Sequence, residues 1–394
     1  MNSSHAILGQ LAAGYAPLVD KQREIGATRL TLFALRPDAA LDAGALLTAV
    51  VDAFPASALV LNVAHEGLLR DLLAQELPAN VQLELPTFLA TDATLADALR
   101  ARAAKGTVLL IKGRPPATMD PALLGLFKKL VLDLDEARQG PVALPRGAAL
   151  VHAGARSAAD FDESFRLGAQ AVMGWPMQGE FEPAPGAPRS EVQADLQVIV
   201  ELMSRVDQGE DIERLEQTLK RDPSLAFKLL RYMNSAAFGL SVEVSSFRHA
   251  IMLLGYARLK RWLALLLATA SKDHSMRPVM YAALRRGLLM EELAKGMAEA
   301  ELRDEMFICG LFSLLDHMLR QPFARLLQSI PVPERVRQAL VERTGPYQPY
   351  LDLVHAIENE SVFDYRAAAD ALMLGAEEIN HALLRALYKA AQLE

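Results

Sequence analysis

Hydrophobic positions along this chain follow two rhythms, and the change comes near residue 182. Before it, short apolar, β-prone runs recur at 29–35, 58–63, 81–85, 108–111, 129–134, 148–152 and 171–173. Between them lie Ala-, Leu- and Arg-rich stretches, such as 95–104 and 158–167, with the spacing of helices. Strands that alternate with helices imply parallel pairing, with helices covering the sheet. Several of the runs are apolar at every position, as strands buried on both faces tend to be. Periodicity alone leaves open whether such a sheet closes into a barrel or stays open and doubly wound.

Residues 180–190, EFEPAPGAPRS, are rich in Pro, Gly and Ala and read as a linker. Beyond them the pattern is helical almost throughout. In RDPSLAFKLLRYMNS, Asp222 is placed to cap a helix and Pro223 falls at its first position, where a missing N–H costs nothing. Leu225, Leu229, Tyr232 and Met233 then recur at helical spacing. Ser245 and Ser246 precede a second helix that carries Ile251 and Leu254, Gly255 is placed to end it, and a third runs through Trp262 and Leu266. Further helices are expected at 279–298, 306–319, 333–343, 351–358, 367–374 and 377–390. Met233, Phe247 and Met252 read as core residues.

With 394 residues, 52% of them hydrophobic, the chain has enough material for two domains with sizeable cores. A net charge of −7 argues against general nucleic-acid binding, which needs a basic face. The single cysteine, Cys309, excludes an internal disulfide and suits a cytoplasmic setting. The N-terminal residues lack the form of a secretory signal, and the most apolar stretch, 262–270, is too short to span a bilayer, so no membrane insertion is expected.

LLRYMNSAAFGL followed by SSFRHAIMLLGYARLKRWL resembles the HDOD domain, a helical relative of HD phosphohydrolases in bacterial signalling proteins. The residues that carry the likeness are Asn234, Ser235 and Ala236, then Phe238 and Gly239, then a serine-capped helix ending in Leu-Leu-Gly; it extends over 192–391. Catalytic HD enzymes hold metal with a His-Asp pair. Where that pair would fall in GLFSLLDHML, this chain has Ser313 and Leu314. Asp316 and His317 are adjacent but displaced and reversed. Neighbours on a helix point about 100° apart, so a solvated or capping role is expected for both. His249, His274, His355 and His381 are expected at the surface or hydrogen-bonded, without metal. Arg258, Lys260 and Arg261 read as a solvated helix face beside a buried Trp262.

The first half resembles a shortened EAL domain, the barrel phosphodiesterase of the second messenger cyclic di-GMP. The likeness rests on LVHAGARSAADFDESFRLGAQAVMGWPMQG at 150–179, on LNVAHEGLL at 61–69 and on VQLELP at 81–86, and it spans 15–179. It implies a TIM-like β/α barrel whose strand ends hold two divalent cations through acidic side chains. Position by position, most of that cage is absent. The Glu-x-Leu signature should lie within 27–33, which holds no acid. Asn62, Glu84 and Asp133 match ligand positions. Lys112 and Gly113 stand where paired aspartates are expected, Val131 replaces a lysine, Ala153 and Arg156 replace two glutamates, and Met173 replaces a glutamine.

Together these likenesses imply an α/β plus all-α protein. A degenerate EAL-like domain over 1–180 and a linker at 181–190 precede an HDOD domain over 191–394. The expected function is non-catalytic bacterial signalling through protein partners whose identity the sequence does not give, with no metal and no cofactor. A metal-free nucleotide site at Asn62, Glu84, Lys112, Asp133 and Arg156, or a residual phosphodiesterase or phosphohydrolase, are the alternatives.

Overall fold

The computed structural model describes residues 5–144, 146–177, 179, 181, 194–219, 221, 223–235, 244–271, 273–296, 299–328 and 330–393. The chain forms two compact units, Met1–Gln178 with His355–Leu384, and Gly179–Val354 with Arg385–Glu394.

The first unit contains a closed barrel of eight strands: β1 (Leu11–Asp20), β2 (Ile25–Ala34), β3 (Leu59–Ala64), β4 (Val81–Pro86), β5 (Leu109–Lys112), β6 (Phe127–Asp133), β7 (Ala149–Ala155) and β8 (Ala171–Gly174). Seven of them match the apolar runs, and neighbours from β2 to β8 pair in parallel. The eighth, β1, was not expected. It runs antiparallel to both β2 and β8, so the pairing is not parallel throughout. Its sequence LAAGYAPLVD is poor in β-branched and aromatic residues and contains Pro17, all of which speak against a strand. Burial of nearly every position overrides propensity here. Pairing with β8 is confined to residues 18–20, so Pro17 lies just outside that ladder.

The barrel is filled by Leu18, Ala27, Val60, Leu110, Val131, Val151, Ala153 and Met173. Outside it, Val19, Ala155, Phe161 and Val172 form a second layer under the helix Ala158–Arg166. That helix begins at Ser157, whose side chain accepts the Asp160 N–H.

Residues 355–384 belong to this unit, although the sequence assigns all of 191–394 to the helical domain. The Asn380 side chain donates to Leu8 O and Leu11 O, both at 2.8 Å. Arg366 donates to Leu35 O. Trp175 Nε1 donates to Glu358 O at 3.1 Å, with its ring edge-on to Tyr15. Gly14 permits the contact, because a Cβ there would stand 2.7 Å from Ile357 O. An amphipathic helix pattern announces an apolar face without saying which surface covers it.

The second unit is helical. Its helices include Ala194–Asp207, Ile212–Leu219, Pro223–Met233, Phe247–Thr269, Arg277–Leu293 and Ala300–Phe312. Ser246 caps Phe247–Thr269 by accepting the His249 N–H. Gly255, at φ 73°, breaks that helix where expected. The helix expected at 306–319 divides into Ala300–Phe312 and Leu315–Leu319, because Ser313 Oγ bonds back to Gly310 O and competes with the helical ladder. The one expected at 333–343 is a short α-turn, Glu334–Arg337, continued as a π-helical turn, Gln338–Glu342. Met252 is 75% exposed and so is not a core residue, whereas Met233 and Phe247 are buried. The linker residues 182–190, the capping Asp222, and Ala236, Phe238 and Gly239 lie outside the described residues. Among the described residues, no helix is long and apolar enough to cross a membrane.

Candidate functional site at the barrel mouth

Strand alternation decides which side chains reach the barrel interior. Arg29 and Thr31 share the parity of Ala27, Asn62 that of Val60, Lys112 that of Leu110, and Asp133 that of Val131. Glu84 lies in register between Asn62 and Leu110. These parities turn Arg29, Thr31, Asn62, Glu84 and Lys112 toward the C-terminal ends of β2–β5, where barrels of this type carry their chemistry, while Asp133, the last residue of β6, is exposed.

Arg29 organises the site. Its Nε and Nη2 donate to the two Glu84 oxygens at 2.8 and 2.7 Å. Its Nη1 donates to both oxygens of Glu360 at 3.0 and 2.9 Å. Thr31 Oγ1 donates to Glu360 at 2.7 Å, and the Asn62 amide donates to Thr31 Oγ1 at 3.2 Å. Glu84 is fully buried and the Arg29 side chain only 5% exposed. Burial alone would lower the Arg29 pKa. The Glu84 and Glu360 carboxylates outweigh burial and raise it, so the guanidinium stays charged.

The structure brings Asn62, Glu84 and Lys112 together, with Lys112 Nζ 3.9 Å from Glu84. Asp133 and Arg156 do not join them. Asp133 caps the helix Leu134–Arg138 by accepting the Asp135 N–H, and Arg156 is exposed, its backbone N–H bonded to Asp160. Ala153 and Met173 pack in the apolar barrel filling. Arg29 lies within the span where the signature acid was sought, and its signal was a lone charge on the buried face of an apolar strand. Glu360 left no sequence signal, because it enters from 331 residues away.

A cage for two divalent cations does not fit these residues. Both oxygens of Glu84 are engaged by Arg29, and a second cation, Lys112, faces the same carboxylate. Among the described residues, no group of three or more His, Cys, Asp and Glu side chains is placed to hold a metal ion.

The second unit has its own buried polar cluster, where the HD motif would lie. Asp316 is not solvated, one of the two roles, solvated or capping, that the sequence suggested for it. It is 1% exposed and accepts the backbone N–H groups of Phe181 and His317 at 2.7 and 2.8 Å. Burial raises its pKa, against the opposing pull of His317, of these two N–H groups and of Arg286. His317 Nε2 lies 2.9 Å from Gly179 O. The Arg286 guanidinium donates to Ser313 Oγ at 3.0 Å. Gly310 lets the two helices touch here, since a Cβ would meet Arg286 O at 2.5 Å. Arg261 is also not on a solvated face. It bridges Asp304 and Glu291 at 2.7 and 2.8 Å, over the ring of Phe307. His249 is hydrogen-bonded as expected, to Ser245. The Asn234 side chain donates to Val244 O and accepts the Val244 N–H.

Comparison with known proteins assigns this second unit. Residues 194–321 are an HDOD domain. The match stops at Gln321, short of the residue 391 to which the sequence likeness was drawn. Among curated proteins, the chain is 33% identical over 154 residues to "Uncharacterized protein YuxH" of Bacillus subtilis, covering 38% of this chain and 37% of that one. It is 31% identical over 162 residues to "Cyclic di-GMP phosphodiesterase CdgJ" of Vibrio cholerae, covering 41% of this chain and 38% of that one. The matches thus span well under half the length of these curated relatives. Among solved structures it is similar to the "PaMucR Phosphodiesterase, c-di-GMP complex", with TM-score 0.33 and 19% identity over 43% of this chain and 91% of the other. It is also similar to the EAL domain of Mycobacterium smegmatis DcpA, with TM-score 0.30 and 18% identity over 42% and 90%.

Proposed function

We propose that this chain is a non-catalytic signalling protein of cyclic di-GMP circuits, built from a degenerate EAL-like barrel and an HDOD domain, which acts by binding protein partners. One observation carries the reading. At the barrel mouth, where hydrolysis needs divalent cations and an activated water, the buried Arg29 guanidinium sits between Glu84 and Glu360. A fixed cation there repels metal, and the carboxylate best placed to ligate one is already taken. The Asp316 region adds support, since that carboxylate is spent on two backbone N–H groups. Domains that keep their cores without their ligand sets still offer surfaces for recognition.

The test is turnover of cyclic di-GMP by the full chain with Mg²⁺ or Mn²⁺. No linear dinucleotide is expected. Hydrolysis that disappears in a Glu84→Gln variant overturns the reading. In a pull-down, the full chain is expected to retain a defined protein from the cells that express it.

A second reading is metal-free binding of cyclic di-GMP or another nucleotide. It is favoured by Lys112, whose side chain is 43% exposed at the rim of the same site and free to meet a phosphate. Calorimetry with cyclic di-GMP separates the two: heat that is lost in Lys112→Ala supports nucleotide sensing, and its absence at high micromolar protein excludes it.

A further inference from the structure

We propose that Arg29 and Thr31 form an oxyanion-binding site that the chain fills with its own Glu360 carboxylate, making the 355–384 segment a tethered plug. Three observations converge. Donors from β2 close on one carboxylate: Arg29 Nη1 meets both Glu360 oxygens, and the Thr31 hydroxyl meets one of them. One guanidinium nitrogen spans both Glu360 oxygens, while the two-nitrogen fork that arginine commonly presents to a carboxylate is turned to Glu84. The donor set is preorganised without Glu360, because Glu84 fixes the guanidinium through its other two nitrogens and Asn62 donates to Thr31 Oγ1.

The plug is seated with strain and a gap. Glu360 holds φ 54°, a left-handed conformation that costs a residue with a side chain energy. Beside it lies a small cleft, half open to solvent, lined by Gly14, Phe33, Ala356, Glu360, Ser361 and Tyr365. The turn is held by the Glu360 charge together with the Trp175–Glu358 hydrogen bond and the buried Ile357 and Tyr365, and the charge is the part that a soluble ion can replace. A soluble oxyanion that engages Arg29 and Thr31 therefore competes with Glu360, and the turn lifts when it wins. The inference goes beyond the signalling reading and does not depend on it, since it concerns only what occupies these donors.

Hydrogen–deuterium exchange of the full chain tests it, on the wild type, Glu360→Ala and Glu360→Ala/Thr31→Val. Sodium formate, acetate and phosphate are compared with chloride at equal ionic strength. Glu360→Ala is expected to speed exchange across 355–372. Formate or acetate is expected to slow it again, by roughly tenfold at ten times the Kd. Protection by phosphate as well assigns phosphate to the site, and protection by carboxylates alone restricts it to them. The wild type should show no protection and should exchange faster across 355–372 at high oxyanion, as the turn lifts, and Thr31→Val should abolish the rescue. An equal response in the wild type and Glu360→Ala, or none in a folded Glu360→Ala, overturns the proposal. If Glu360→Ala does not fold, Glu360→Gln takes its place: it keeps the shape and removes the charge, so exchange at wild-type speed overturns the charge latch, and faster exchange supports it.

Discussion

Replacing Arg29 by Met keeps most of the side-chain volume and removes the guanidinium that makes four hydrogen bonds to two carboxylates. Glu84 has no access to water, so the substitution leaves a buried charge uncompensated. Breaking a buried pair from one side costs about 3–5 kcal/mol. Lys112, at 3.9 Å from Glu84, offsets part of that, which points to the lower end, about 3 kcal/mol. Removing the stranded charge as well should help. Arg29→Met/Glu84→Gln is expected to recover about 2 kcal/mol of the loss, since replacing both partners of a buried pair is often near neutral. The reporter is built in. The chain has two tryptophans, and Trp175 lies in the barrel unit while Trp262 lies in the other. Urea unfolding followed by Trp175 fluorescence in a Trp262→Phe background isolates the barrel unit. A single variant within about 0.5 kcal/mol of its parent, or a double variant no more stable than the single, refutes the reasoning.

Two further outcomes follow from buried groups. His152 on β7 is fully buried and neither ring nitrogen has a hydrogen-bond partner; burial lowers its pKa below the ordinary 6.5, against a weaker opposing pull from Glu163. The unfolded chain therefore takes up the proton first, and barrel stability should decline as pH drops below that value, by at most about 1.4 kcal/mol per pH unit; thermal melts of His152→Phe should show a shallower decline, and an equal one counts against the neutral, buried imidazole. Cys309 is fully buried, and burial, helped by Glu305, pushes its thiol pKa up, so a thiol reagent should label it only as the helical unit unfolds. Rapid labelling of the native chain by an aromatic disulfide refutes that burial.

The sequence was legible where each residue's role depends on its neighbours in the chain. The apolar runs gave seven strands, the Ser246 cap and Gly255 break gave the shape of the helix Phe247–Thr269, and the residues around Asn234 carried the HDOD likeness. Of the candidate site, Asn62, Glu84 and Lys112 were placed together as the strand ends suggested, while Asp133 and Arg156 turned to local helix capping and solvent. Where the sequence misled, the reason was burial from a distance. β1 looked unlike a strand because its residues are poor strand formers, yet closing the barrel buries them. Arg261 looked solvated, and Asp316 solvated or capping, because they are charged, yet each is enclosed among its hydrogen-bond partners.

By itself the sequence determined the two kinds of secondary structure and their order, since periodicity is a local property. Only the tertiary structure decided what meets Arg29 at the barrel mouth. It brought Glu360 onto Arg29 across 331 residues, and it gave residues 355–384 to the barrel rather than to the helices that precede them. A helix pattern states that an apolar face must be covered, and an isolated arginine that a counter-charge is needed. Which distant segment supplies either is settled only when the chain folds back on itself.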